Sequence, residues 1–87
     1  MTDAATGLTG RDRAILDFEA AWSTHAGTKE EAIRAELGLT PARYYQLLGR
    51  LLDTAAAIEY DPMLVKRLRR LRHAREQARL ARSAAAR

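Results

Sequence analysis

The chain has 87 residues, enough for one domain and near the lower limit at which one apolar cluster sustains a fold unaided. It contains no cysteine, which excludes disulfides, thiolate metal sites and cysteine nucleophiles together. The net charge of +4 conceals an asymmetry: residues 1–61 carry six basic and ten acidic side chains, whereas residues 62–87 carry nine basic residues against Glu76 alone.

A basic block at one end of a small domain points to a polyanionic partner, the plainer alternative being a solvated helix that keeps the chain soluble. The first seven residues contain no basic start and no apolar run, and no stretch approaches the ~20 apolar residues of a membrane span. The expected setting is therefore the cytoplasm, at the nucleoid, with no membrane partner.

In chain order, residues 1–8 read as a flexible N-terminus. Thr9 can cap a first helix, with Asp12 three positions on favouring its positive end. Ile15, Phe18 and Trp22, joined by Leu16, give that helix an apolar face, and Ala26-Gly27 should stop it. Thr28-Lys29-Glu30-Glu31 has the form of a capping box and starts a short second helix. Ile33 and Leu37 face inward there, and Gly38 ends it. Thr40-Pro41 combines a cap with proline at the first helical position, predicting a third helix to about Leu52. Tyr44, Leu47, Leu48, Leu51 and Leu52 lie on one side of it. Residues 53–60 stay open between one short helical turn and a linker with Ile58 tucked into the core. Asp61-Pro62 repeats the cap-and-proline start and begins a last helix that nothing interrupts. Its stripe of Leu64, Leu68 and Leu71 fades beyond Arg72 to Ala74, Ala78 and Leu80, so its first half should pack and its second half project.

The predicted fold is all-α: a trihelical helix-turn-helix core over residues 9–60, followed by a long basic C-terminal helix over 61–87. The expected core is Ile15, Phe18, Trp22, Ile33, Leu37, Tyr44, Leu47, Leu51, Leu64 and Leu68.

The unit that carries function is the helix-turn-helix at 28–52. Two helices joined by Gly38-Leu39-Thr40 must cross steeply, which would free the start of the second to enter a DNA major groove. Arg34 occupies the position of closest helix approach, where a small residue is expected; either its stem turns outward or the crossing is wider. The outer side of the third helix is left with Thr40, Ala42, Arg43, Tyr45, Gln46, Gly49 and Arg50. Arginine grips guanine O6 and N7 bidentately and glutamine matches adenine N6 and N7, so Arg43, Gln46 and Arg50 are the candidate base contacts. Thr40 and Tyr45 suit phosphates. Lys66, Arg67, Arg69, Arg70, Arg72, Arg75, Arg79 and Arg82 of the last helix are the candidate backbone contacts, through which binding would be steeply salt-dependent.

Other chemistry finds little support. His25 and His73 have no ligand-spaced partners, so no metal and no cofactor is expected. No nucleophile elbow, phosphate loop or paired-carboxylate pocket appears, and the chain reads as a non-enzyme. A coiled coil on Leu64, Leu68, Leu71 and Ala78 is broken by Arg75, which leaves a monomer or weak dimer.

Two resemblances add to this. Leu8 to Leu16, LTGRDRAIL, and Leu39 to Leu47, LTPARYYQL, resemble the opening and recognition helices of the promoter −35-reading domain (region 4) of bacterial sigma factors. The likeness implies base contact by Gln46 and by positions 41 and 42, here Pro41 and Ala42, whose side chains cannot hydrogen-bond; the sigma preference should not carry over. The stretches Ile15–Glu19 (ILDFE), Arg43–Leu48 (RYYQLL) and Asp61–Arg72 (DPMLVKRLRRLR) more closely resemble an actinobacterial family of short proteins catalogued only as a domain of unknown function. The expected function is transcription-related binding of double-stranded DNA. The alternatives are a module that docks on RNA polymerase or another protein, and a non-specific nucleoid or RNA binder acting through its basic tail.

Overall fold

The computed structural model describes residues 7–22 and 28–85. These residues form five helical elements and no strand, an all-α fold. Helix α1 is Gly10–Trp22. Helix α2 is Lys29–Ala32, continued without a break by a π-helical turn, Ile33–Leu37. Helix α3 is Pro41–Leu51, α4 is Ala55–Tyr60 and α5 is Pro62–Ala85. The expected stop of the first helix at Ala26-Gly27 lies outside the described residues, as do His25 and Arg87.

Most of these boundaries have a local cause. At α1 the Thr9 hydroxyl accepts from the Asp12 N–H and the Asp12 carboxylate accepts from the Thr9 N–H, both at 3.0 Å, a reciprocal cap that satisfies two orphan donors. Thr40 caps α3 by accepting from the Arg43 N–H at 3.2 Å, with Pro41 at the first position. Thr54 serves two helices: its hydroxyl donates to the Leu51 carbonyl at the end of α3 and accepts from the Ala57 N–H at the start of α4. Asp61 caps α5 through the Leu64 N–H at 3.2 Å. Gly38 closes the π turn at φ +66°, a left-handed conformation that a β-carbon would strain, and its N–H reaches the Arg34 carbonyl.

Thr28 departs from its expected role. Its backbone is extended, but its side chain makes no capping bond. Tertiary contacts hold α2 instead: Ile33 is fully buried, and Lys29 turns inward to Glu19 on α1 at 2.8 Å. Arg34 is exposed.

The core joins Leu8, Ile15, Leu16, Phe18, Ile33, Tyr44, Leu47, Leu48, Leu51, Leu52, Ala57, Leu64, Val65 and Leu68. Complete burial of each large apolar side chain contributes about 1.5–3 kcal/mol, so this cluster is what holds so small a chain together. Its membership differs from the expected core at both margins. Trp22 and Leu37 are only partly buried. Leu8, allotted to a flexible terminus, is 2% exposed. The 53–60 segment is helical, and because Thr54 sets the phase of α4, Ala57 points inward while Ile58 is 38% exposed rather than tucked in. Val65 joins Leu64 and Leu68, widening the α5 stripe beyond a single row.

Polar staples fix α4 and α5 to the body. The Tyr60 hydroxyl donates to the Asp17 carboxylate on α1, at 2.9 and 3.1 Å to its two oxygens. That carboxylate pushes the Tyr60 hydroxyl above its usual pKa. Arg69 donates through Nε to the Leu52 carbonyl at 2.8 Å, and Arg72 pairs with Asp53 at 2.8 Å. Beyond Leu68 every described residue of α5 is exposed. At 1.5 Å per residue α5 is about 36 Å long, and the molecule measures 52 × 30 × 22 Å.

Candidate nucleic-acid interface

The apolar side of α3 is occupied by the core, which leaves Arg43, Tyr45, Gln46 and Arg50 exposed on its other side. Arg43 and Gln46, one turn apart, are joined: the Arg43 guanidinium donates to the Gln46 side-chain carbonyl at 2.6 Å. The pair orients both side chains, while the Gln46 NH₂ and the remaining guanidinium N–H groups keep their donor capacity. Arg50 carries no ion pair or side-chain hydrogen bond among the described residues. Thr40 uses its oxygen on the Arg43 N–H, so towards a phosphate it retains its O–H as a donor.

Tyr45 belongs to a cluster at the edge of α3. Its ring is 44% exposed and meets Tyr44 edge-on, with centroids 5.0 Å apart. Lys29 Nζ sits 5.2 Å from the Tyr45 centroid and 5.7 Å from that of Tyr44, within cation–π range of both. Tyr44 is fully buried, packs edge-on against Phe18, and donates its hydroxyl to the Glu19 carboxylate, which also holds Lys29. Burial first, and then the Glu19 bond, push the Tyr44 hydroxyl far above its usual pKa, so it acts as a fixed donor. The network locks the position of α3 relative to α1 and α2. Sequence reading did not find Glu19 or Lys29. The signal was there: Glu19 lies four residues after Ile15 and three before Trp22, an acid within the apolar face of a helix, and such an acid needs a partner.

The basic residues of α5 divide into three groups. Arg69 and Arg72 are committed to the end of α3 and the turn after it, through Leu52 and Asp53. Arg79 is paired with Glu76, whose carboxyl it holds below the usual range. Lys66, Arg67, Arg70, Arg75 and Arg82 have no acidic partner among the described residues.

Helical phase separates these cations in space. Leu68, Arg72, Arg75, Arg79 and Arg82 follow one another at spacings of three and four, so the side of α5 that is buried in its first turns becomes cationic once the helix outruns the core. The structure shows this change of character directly. An open groove of about 330 Å³ has Leu68, Arg72 and Arg75 of α5 on one wall and Tyr45, Leu48 and Gly49 of α3 on the other, with Lys29 and Glu19 beside them. Arg43 and Arg50 lie on the opposite flank of α3, two positions before Tyr45 and one after Gly49, and do not line this groove. Helical phase alone puts Gly49 on the outer face of α3; that it walls a groove follows only from the fold. A β-carbon there would meet nothing within 4 Å, so packing does not require the glycine.

Other chemistry does not gather in the described residues. No three His, Cys, Asp or Glu side chains lie close enough to hold a metal ion, and no helix is long and apolar enough to cross a membrane.

No curated protein and no solved structure matches the chain. The chain belongs to the family described as Protein of unknown function (DUF3263), whose model matches residues 7–80.

Proposed function

We propose that this chain binds double-stranded DNA, with the outer face of α3 addressing base edges and the overhanging part of α5 gripping the phosphate backbone. The observation that carries the reading is the shared groove. Arg75 of α5, next to Arg72 with its Asp53 partner, and Tyr45 and Gly49 of α3 form one concave surface, so a cation without an acidic partner among the described residues stands beside the helix with base-type side chains. A duplex with its major groove against Arg43, Gln46 and Arg50 would bring a flanking strand towards that concavity. A helix-interior glycine that packing does not require suits close approach of a backbone. The family match supports a role for the overhang, since it runs to Leu80, well beyond Leu68, the last buried residue.

In this reading α2 and α3 act as a helix-turn-helix and the protein works by binding, not catalysis. The likeness of LTGRDRAIL and LTPARYYQL to sigma-factor region 4 favours a transcription-related role at the nucleoid. The test is selection of duplexes from a random pool, followed by anisotropy titration of the parent, Arg43→Ala and Gln46→Ala. The variants should keep the parent's melting curve and relax its sequence preference by about 1–3 kcal/mol. Unchanged ranking of duplexes in both variants would remove α3 from base reading. Absence of duplex binding even at low salt would refute the proposal altogether.

A further inference from the structure

Glutamine matches adenine with both halves of its amide: the carbonyl accepts from the N6 amine and the NH₂ donates to N7. In this fold the carbonyl of Gln46 is engaged. The Arg43 guanidinium donates to Gln46 Oε1 at 2.6 Å, and because a guanidinium has no acceptor, the amide atom facing it is the oxygen. That bond is charge-assisted, so replacing the guanidinium by a neutral adenine amine loses hydrogen-bond strength. Sharing the oxygen is also unfavourable, since an amine on its second lone pair would set positive hydrogens beside the Arg43 cation. Guanine meets no such conflict. Its N7 and O6 are both acceptors, open to the Gln46 NH₂ and to the remaining guanidinium N–H groups alike.

The rest of the stripe has the same polarity. Arg50 lies in line with Arg43 and Gln46, at helical spacings of three and four, and brings donors only. Helix α3, PARYYQLLGRL, carries no carboxylate that could accept from the amine of cytosine. From Arg43 to Arg50 the stripe covers about 10 Å of helix, close to three base-pair steps of about 3.4 Å. We infer that α3 selects guanines clustered within about four base pairs, and that Arg43 sets the preference of Gln46 by holding its carbonyl. Arg43 is thus a specificity-determining residue twice over, through its own contact and through its neighbour. The inference rests on the proposed DNA binding and names the class of sequence that this face selects.

Two measurements test it on the full chain. The duplex preferred by the parent in selection is titrated by fluorescence anisotropy, and binding at this stage is what the DNA reading itself requires. The base pair at which Gln46→Ala loses discrimination is then replaced in turn. With the parent, guanine there should bind about tenfold better than adenine, and 7-deazaguanine, which lacks the N7 acceptor, should weaken binding to a similar degree. Arg43→Ala frees the carbonyl, so at that same base pair the preference should move to adenine. Gln46→Glu keeps an acceptor for Arg43 but loses the NH₂, and should lose the guanine preference. Both side chains are exposed, so all of these variants should melt with the parent. Adenine or thymine preferred by the parent at that base pair, or a preference that Arg43→Ala leaves unchanged, overturns the inference while duplex binding stands. So does a Gln46→Ala variant that loses discrimination nowhere. Absence of duplex binding at low salt fails at the first stage, and removes the DNA reading together with the inference.

Discussion

The two halves of α5 are one helix built on different principles. Over its first turns Leu64, Val65 and Leu68 are buried, and Arg69 and Arg72 are tied to the end of α3 and the turn beyond. From Leu71 onward no described residue is buried: Leu71 is 46% exposed and Leu80 48%. An isolated helix of that length is marginal in water, but extension from a nucleus already held by tertiary contacts avoids the nucleation cost. Arginine and alanine, good helix formers, and the Glu76–Arg79 pair favour the extension. The first half is therefore held by the core, whereas the second carries no buried residue among those described and its charged side chains lie exposed.

The widest contrast should come from the core. Tyr44→Ala removes a fully buried ring, its edge contact with Phe18 and its bond to Glu19. The expected cost is on the order of 3–5 kcal/mol, enough to unfold so small a chain. Leu80→Ala should change stability by less than about 0.5 kcal/mol. Trp22→Ala should fall between them, since Trp22 stacks on Phe18 at 5.5 Å but is only partly buried. Urea or thermal unfolding of the three variants checks the order. A Leu80→Ala loss comparable to that of Tyr44→Ala would show that the overhang packs after all.

The next effect concerns binding. Truncation after His73 removes Arg75, Arg79, Arg82 and Arg87 together with Glu76. Since Arg79 is already neutralised by Glu76, about three uncompensated charges are lost. The slope of log affinity for duplex DNA against log salt should flatten by ~2–3, equally for all sequences. Cooperative unfolding should persist. An unchanged slope would separate the overhang from nucleic acid.

Legibility in the sequence followed the same division. Helix starts were readable because their causes are local: Thr9 with Asp12, Thr40 with Pro41, and Asp61 with Pro62 each act within four residues. Thr28 has the same local form yet makes no capping bond, because the inward Lys29–Glu19 contact and burial of Ile33, rather than a cap, hold α2. The missing parts of the core, Leu8, Val65 and Ala57, depend on what a neighbouring element covers, which no local pattern encodes. The same holds for the commitment of Arg69 and Arg72. Sequence spacing counts eight basic residues on the last helix, but only the fold reveals that two of them end another helix. The proposed interface combines both kinds of information: Arg43 and Gln46 follow from helical phase, whereas the groove joining Gly49 to Arg75 exists only once α5 crosses α3.

Gly49→Ala separates the two roles of α3 more finely. With open space for the β-carbon, alanine should stabilise the helix by about 0.5–1 kcal/mol. If a DNA backbone approaches the groove at that point, the same methyl group should weaken duplex binding. A variant that melts higher but binds less tightly supports the groove as a strand site. Higher stability with undiminished affinity would move the strand elsewhere.

The smallest effect tests where the overhang begins. Asp53 receives the Arg72 guanidinium at 2.8 Å and has Arg69 at 3.9 Å, and the Arg72 hydrogen bond is the main cause holding its carboxyl below the usual range. A carboxyl depressed in the folded state contributes stability that is fully present above its unfolded value of about 3.9 and is lost as pH falls through the lower, folded value. The pair is solvent-exposed, so the contribution is small and screened by salt. Asp53→Asn should therefore melt slightly below the parent near neutral pH, and the gap should close as the medium is acidified past the carboxylate range or brought to high salt. Because Arg72 is the last staple before the unsupported turns, amide exchange around Leu71–His73 should quicken in the variant while that of Leu64 and Val65 does not change. Equal acceleration along all of α5 would mean that the staple holds the whole helix on the body and that the boundary between its two halves is set elsewhere.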